Sequence, residues 1–213
     1  MFTGTFMRSL IAKGVILTMA ASTLAMANPR STGEWFNGSV RLMGGAMLMD
    51  IPWRPDDNHG QFGLLIDYLP DGFPMHVVAD VISTGSSGER LGCLNYSVSR
   101  QNWCWTSTSQ VNAGVRKHVS TGAVRSYAGA GIGFLEARQQ FGVHNNWYSN
   151  SRNQNTFNLW ANAGAAIMLH EHINAGLDVR YNYANIAVRY KNNDRDTHNV
   201  GGLGAGFFLG YQW

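Results

Sequence analysis

The chain has 213 residues, of which 45% are hydrophobic and only 14% charged, with 25 glycines and a formal net charge of +3. It has no apolar run of about 18 residues, which excludes transmembrane helices, and no Lys/Arg-rich run, which removes the electrostatic footprint of a nucleic-acid binder. Glycine and β-branched residues are poor helix formers, so this composition, with Asn, Ser and Thr filling the gaps between apolar positions, suits strands.

At the N-terminus, Arg8 and Lys13 precede the apolar stretch Gly14 to Ala21, and Ala25-Met26-Ala27 offers a small-x-small cleavage site before Asn28-Pro29. This pattern predicts a secretory signal peptide over residues 1–27. Residues 28–33 form a short segment after it, and residues 34–213 one domain. Loss of Arg8 and Lys13 leaves 14 basic against 13 acidic residues, so the pI near 9.0 comes partly from the leader. An exported chain meets an oxidising compartment. The only two cysteines, Cys93 and Cys104, are therefore expected to form one local disulfide.

Beyond the leader the sequence alternates between two faces, as successive side chains on a strand do. Phe36, Gly38, Val40, Leu42, Ala46 and Leu48 oppose Asn37, Ser39 and Arg41. Phe62, Leu64, Ile66 and Tyr68 oppose Gly63, Leu65 and Asp67. Met75, Val77, Ala79 and Val81 oppose His76, Val78, Asp80 and Thr84. A fourth strand sets Trp105, Val111, Ala113 and Val115 against Gln110, Asn112, Arg116 and His118. A fifth sets Val124, Ala128, Ala130, Ile132 and Phe134 against Arg125, Tyr127, Gly129, Gly131 and Gly133. In the sixth, Phe157, Leu159, Ala161, Ala163, Ile167 and Leu169 face away from Asn158, Trp160, Asn162 and Met168. The seventh opposes Leu177, Val179, Tyr181 and Tyr183 to Asp178, Arg180 and Asn182, and its parity change to Ile186, Val188 and Tyr190 predicts a bulge near Asn185. The last strand carries Leu203, Ala205, Phe207, Leu209, Tyr211 and Trp213 on one side and Gly202, Gly204, Gly206, Phe208, Gly210 and Gln212 on the other.

Short connections at Pro70–Phe73, Val119–Gly122 and His170–Ile173 alternate with longer polar ones near residues 49–61, 85–104, 138–155 and 191–198. Tight turns at one rim, long loops at the other and strands of about 10 residues are the signature of an outer-membrane barrel. Such a sheet must close, because hydrocarbon cannot hydrogen-bond an open edge. Trp35, Tyr68, Trp105, Phe157, Tyr190 and Trp213 near the strand ends fit interfacial girdles. The expected fold is all-β, an eight-stranded antiparallel up-and-down transmembrane barrel. A soluble lipocalin-like barrel, with the greasy faces turned inward, is the alternative.

On these features, and on the terminal Gly210-Tyr211-Gln212-Trp213, residues 34–213 resemble the small eight-stranded outer-membrane proteins of Gram-negative bacteria: the OmpA transmembrane domain, OmpX and the opacity-type proteins. The resemblance is to a class rather than to one member. It implies the outer membrane as location, outer-membrane lipid and lipopolysaccharide as surroundings, and recognition of Phe207, Leu209, Tyr211 and Trp213 by the barrel-assembly machinery. The usual last residue in that class is Phe, from which Trp213 departs.

The inward faces carry Arg41, Arg116, Arg125 and Arg180 with Asp67, Asp80 and Asp178. Eight strands enclose a space that side chains fill, and buried charges must be paired, so these residues are expected to form a structural network that plugs the lumen. A selective path for small solutes is the alternative. His118-Val119-Ser120 resembles the His-x-Ser of outer-membrane lipid A deacylases, but Thr121 stands where that family has Asn and the pair falls at a short turn; no enzyme activity is expected. His170 and His172 would share a face if extended and could clip a metal, yet a third ligand is not apparent nearby, and neither metal nor cofactor is expected. The strings Gly129-x-Gly131-x-Gly133 and Gly201-Gly202-Leu203-Gly204 do not open a helix, so they are not phosphate loops and instead make room inside a narrow barrel. Any extracellular ligand or host protein would meet the long loops, where Trp53, Trp103, Trp147 and Tyr148 are the candidate contacts. The function expected is a non-enzymatic envelope protein with an adhesion-type or integrity role.

Overall fold

A computed structural model describes residues 36–49, 58–88, 102–121, 123–143, 146–189 and 195–213. They form nine strands and no helix: β1 (Gly38–Met49), β2 (Asn58–Tyr68), β3 (His76–Gly88), β4 (Asn102–Thr121), β5 (Val124–Val143), β6 (Asn146–His170), β7 (Ile173–Arg189), β8 (Arg195–Asn199) and β9 (Gly202–Gln212). Each of β1 to β7 pairs antiparallel with the next. β9 lies between β7 and β1 and closes the ring, while the short β8 pairs with the far end of β7. The molecule is a closed eight-stave, up-and-down antiparallel barrel.

The stagger follows from the ladders. A hydrogen-bonded row starting at Ser39 passes through Asp67, Val78, Gly114, Gly131, Trp160, Asn182 and Gly202, and returns to β1 at Met49, ten residues beyond its start. That stagger over eight staves corresponds to strands tilted by about 40°. At Pro70–Phe73 the chain reverses in a tight turn: Phe73 N–H donates to the Pro70 carbonyl (3.0 Å), and Gly72 sits at φ 75°. A turn with φ > 0 at its third position needs glycine there.

The outer wall is an apolar belt. Phe62, Val81, Val111, Ile132, Phe134, Leu159, Leu177, Phe207 and Leu209 all point outward, and Phe157 is 79% exposed. Water does not tolerate so continuous an apolar surface, whereas hydrocarbon does. The interior is filled from both ends. Met43, Leu65, Ile82, Tyr127, Ala166 and Phe208 form one cluster, and Leu135, Ala137, Ala184, Ile186 and Val200 another toward the long-loop rim.

Three expectations from sequence are corrected. Phe36 does not share the outward face of Val40 and Leu42; it is buried against His76 and His118 at the short-turn rim. There is no bulge at Asn185. β7 keeps its register through to Arg189, and Ile186, 3% exposed, lies on the inner face with Ala184. The apolar set changes side because the lumen itself becomes apolar there. Register shifts occur instead between Met168 and His170 on the β6–β7 ladder and between Phe141 and Val143 on the β5–β6 ladder. Finally, much of the long-loop sequence is strand. β5 and β6 pair until Val143↔Asn146, so the expected loop 138–155 shrinks to a connection at residues 144–145. Polar residues on both faces erase the two-residue period, but the backbone ladder needs no apolar face to continue.

Candidate functional site

The lumen of the barrel holds an alternating chain of charges. Asp67 on β2 is ion-paired with Arg41 on β1 and accepts from Arg116 on β4 and from the Ser39 hydroxyl (3.2 Å). The other Arg116 nitrogen reaches Asp80 Oδ2 on β3 (3.2 Å), which Arg180 Nη2 on β7 also approaches at 2.6 Å. Arg180 Nε faces Asp178 Oδ1 at 3.7 Å, and Asp178 Oδ2 accepts from the Tyr127 hydroxyl and from Asn162 Nδ2, each at 2.7 Å. Arg41, Asp67, Arg116, Asp80, Arg180 and Asp178 are all buried. Three cations and three anions alternate, so the cluster carries no net charge.

Aromatic faces bound this chain. The guanidinium groups of Arg41 and Arg116 lie 4.9 and 5.2 Å from the Tyr127 ring centre, Arg41 lies 5.1 Å from Phe208, and Arg180 lies 5.2 Å from Trp160. A desolvated guanidinium gains from such a face. Glycines make the space. A Cβ at Gly164 would strike Tyr127, at Gly176 Phe208, at Gly114 Trp160, and at Gly210 the Arg41 side chain. Toward the long-loop rim an amide layer follows: Asn158 Nδ2 donates to Gln110 Oε1 (3.1 Å) and Asn112 Oδ1 (3.0 Å). Beyond it lie the Thr84–Thr108 hydroxyl pair (2.8 Å) and the apolar cluster around Leu135 and Ile186.

Of the charged residues singled out from sequence, Arg125 stays outside this chain. Its guanidinium stacks on Phe36 (4.0 Å) and its Nε donates to the Ser120 hydroxyl (3.4 Å) at the short-turn rim. Arg125 has the right parity but the wrong axial level, and only the register reveals that. Tyr127, Asn162, Ser39 and Phe208 are the partners that sequence reasoning missed. Their inward parity was legible, but no pattern along one strand tells which side chain it meets across the lumen.

The remaining candidates are dispersed. Ser120 is engaged by Arg125, while the His118 ring lies against His76, Phe36 and Tyr127 with Nε2 3.7 Å from Asp67. The turn at Glu171-His172 is not extended as a metal clip on one face would require, and His172 Nδ1 lies 3.0 Å from the Gln212 carbonyl. Trp53 and Cys93 lie outside the described residues, as does the leader. Trp103 and Cys104 belong to β4, and Trp147 and Tyr148 to β6, so these four stand on strands rather than in loops. Phe207, Leu209, Tyr211 and Trp213 line the outer face at the closing strand.

On the long-loop side β4, β5 and β6 continue past their last belt residues, Val111, Phe134 and Phe157, to Asn102, Val143 and Asn146, which is roughly 30–36 Å of further strand at about 3.3 Å per residue. Among the described residues these three strands form a tall sheet that stands beyond the belt.

A closed eight-stave barrel with an apolar outer belt and a filled polar interior defines the small outer-membrane barrel class, and this chain folds as those proteins do. A major outer membrane protein from Thermus thermophilus is similar in structure at 12% identity, with a TM-score of 0.56 over 83% of this chain and 98% of that one. Neisserial surface protein A is 10% identical, with a TM-score of 0.49 over 83% and 97% of the two chains. Ail, the attachment invasion locus protein of Yersinia pestis, is 17% identical, with a TM-score of 0.47 over 83% and 96%. At these identities the likeness is one of fold, and the Thermus barrel carries it. No protein-family model and no curated protein sequence matches the chain.

Proposed function

We propose that this chain is an exported outer-membrane protein whose barrel is a plugged anchor and whose working surface is the tall sheet formed by β4, β5 and β6. In this reading residues 1–27 are a cleaved signal peptide, residues 28–33 a short lead-in, the short-turn rim faces the periplasm, and the barrel-assembly machinery reads Phe207, Leu209, Tyr211 and Trp213. Outer-membrane lipid and lipopolysaccharide surround the belt. The sheet meets an extracellular ligand or host protein, with Trp103, Trp147 and Tyr148 among its aromatic residues and a Cys93–Cys104 disulfide tying the end of β4.

The observation that carries this reading is the filled lumen. An interior crossed by Arg116, Asp80 and Arg180, then by an amide layer, then by Leu135 and Ile186, leaves the molecule little to do by conduction. A non-enzymatic role is supported by the placement of His118 and Ser120, since Ser120 accepts from Arg125 and the His118 ring lies against His76, Phe36 and Tyr127. A surface role remains, and β4–β6 supply the surface. Planar-bilayer recording tests the plug: purified protein should insert silently. Steady single-channel conductance altered by charge reversal at Arg41 or Asp67 would establish the solute-channel alternative instead. Cells displaying the barrel with residues 138–155 replaced by a short turn should keep the folded protein and lose binding to host-cell surfaces. Binding unchanged by that replacement would refute the role of the sheet.

A further inference from the structure

Outside the lumen, the described part of the membrane-facing wall carries a hollow of about 580 Å³ on β1–β5, below the projecting sheet. Gly60, Gly85, Ser83, Ser107 and Ser109 line it together with Phe62 and Trp105 and with Glu136 and Arg138. Ser83 and Ser109 are hydroxyl neighbours at 3.4 Å, and Arg138 Nη2 donates to Glu136 Oε1 at 3.1 Å with both side chains partly exposed.

We propose that this hollow binds the saccharide headgroup of a glycolipid lying in the same leaflet. Its depth in the wall points there first. When the ten-residue stagger is shared evenly over eight staves, Ser83 and Ser109 fall at the level where the rest of the circumference presents Leu48, Phe157, Tyr183 and Leu203. The apolar belt is thus notched by hydroxyls on one side only. Hydroxyls at that depth need hydrogen-bonding partners that acyl chains cannot supply.

The chemistry of the walls narrows the partner. Glu136 neutralises Arg138, so the site has no net charge to select a phosphate or a free anion. The pair still offers a fork of donors beside a fork of acceptors, the complement of vicinal hydroxyls. The half-exposed Trp105 presents an amphipathic aromatic surface, suited to a ring with an apolar face and a polar edge. Gly60 and Gly85 differ from the lumenal glycines: a Cβ at Gly60 would meet only the Gly85 carbonyl at 3.8 Å, and one at Gly85 nothing nearer than Trp105 Nε1 at 3.6 Å. Barrel packing does not require glycine at either position, and their missing side chains are what open the hollow. Phe62 joins it to the lipid belt below, which favours a sugar tethered to lipid over a soluble glycan.

This inference rests on the membrane reading given above, and the test separates the two. The full barrel, labelled with 5-fluorotryptophan, is placed in phosphatidylcholine nanodiscs with or without digalactosyl diacylglycerol, and the Trp105 resonance is assigned by its loss in Trp105→Phe. Glycolipid should shift that resonance, phosphatidylcholine alone should not, and Gly60→Leu should abolish the shift while heat-modifiable migration stays normal. An inserted barrel whose Trp105 ignores glycolipid, or whose shift survives Gly60→Leu, overturns the site but not the membrane reading. A soluble digalactoside that reproduces the shift at equal concentration overturns the lipid-tethered partner. Failure to enter discs at all overturns both readings.

Discussion

Asp67 is ion-paired with two guanidiniums, Arg41 and Arg116, and accepts from the Ser39 hydroxyl. A buried ion pair is close to neutral for stability when compared with a well-packed apolar substitute, but removing one partner strands the other. Asp67→Asn should therefore destabilise the barrel by about 3–5 kcal/mol, read as a lower urea midpoint in lipid vesicles. Tyr127→Phe removes only a hydroxyl that donates to Asp178 and should cost less, about 1.5–3 kcal/mol. A reversed order of the two would mean that the charge chain is not what holds the lumen. The inward set Arg41, Asp67, Asp80, Arg116, Asp178 and Arg180 was legible because the two-residue period puts each opposite an apolar neighbour. Which of them touch was not legible, since contact across a lumen depends on register, and register is written in the ladders rather than in any single strand.

At the scale of strands, sequence reading succeeded wherever one face is greasy and failed where neither or both are. The faces of β9 are plain because Leu203 to Trp213 alternate with glycines, and the structure has Phe207 74% exposed against a buried Phe208. Ile186 misled because an apolar residue turned inward looks like a slipped register. The Asn- and Ser-rich stretch after residues 144–145 misled in the opposite way, since a strand without an apolar face leaves no hydrophobic period to read. The outer wall should respond to charge according to depth: Phe207→Arg, near mid-belt, should cost about 2–4 kcal/mol, whereas Leu169→Arg beside a short turn should cost about 0–1 kcal/mol. Vesicle unfolding titrations of the two variants check this, and equal costs would argue against lipid contact along the belt.

For the whole molecule, the stagger and the filled interior act together. Eight staves displaced by ten residues leave a lumen that side chains can bridge, and Arg180 reaches from β7 to Asp80 on β3, a sequence separation of 100 residues. That tie has a kinetic consequence. Arg180 and Asp80 are 100 residues apart, so this contact forms only when β7 and β3 are brought together across the lumen. Contacts between such distant parts of the chain form after the loop-closure entropy has been met. Interactions absent from the transition state alter unfolding rates more than folding rates. Asp80→Asn should then unfold faster, by about tenfold for each 1.4 kcal/mol lost, while its folding rate in vesicles stays within about twofold of the parent. The chain of charges would then act as a latch, setting less how quickly the barrel is built than how long it stays shut.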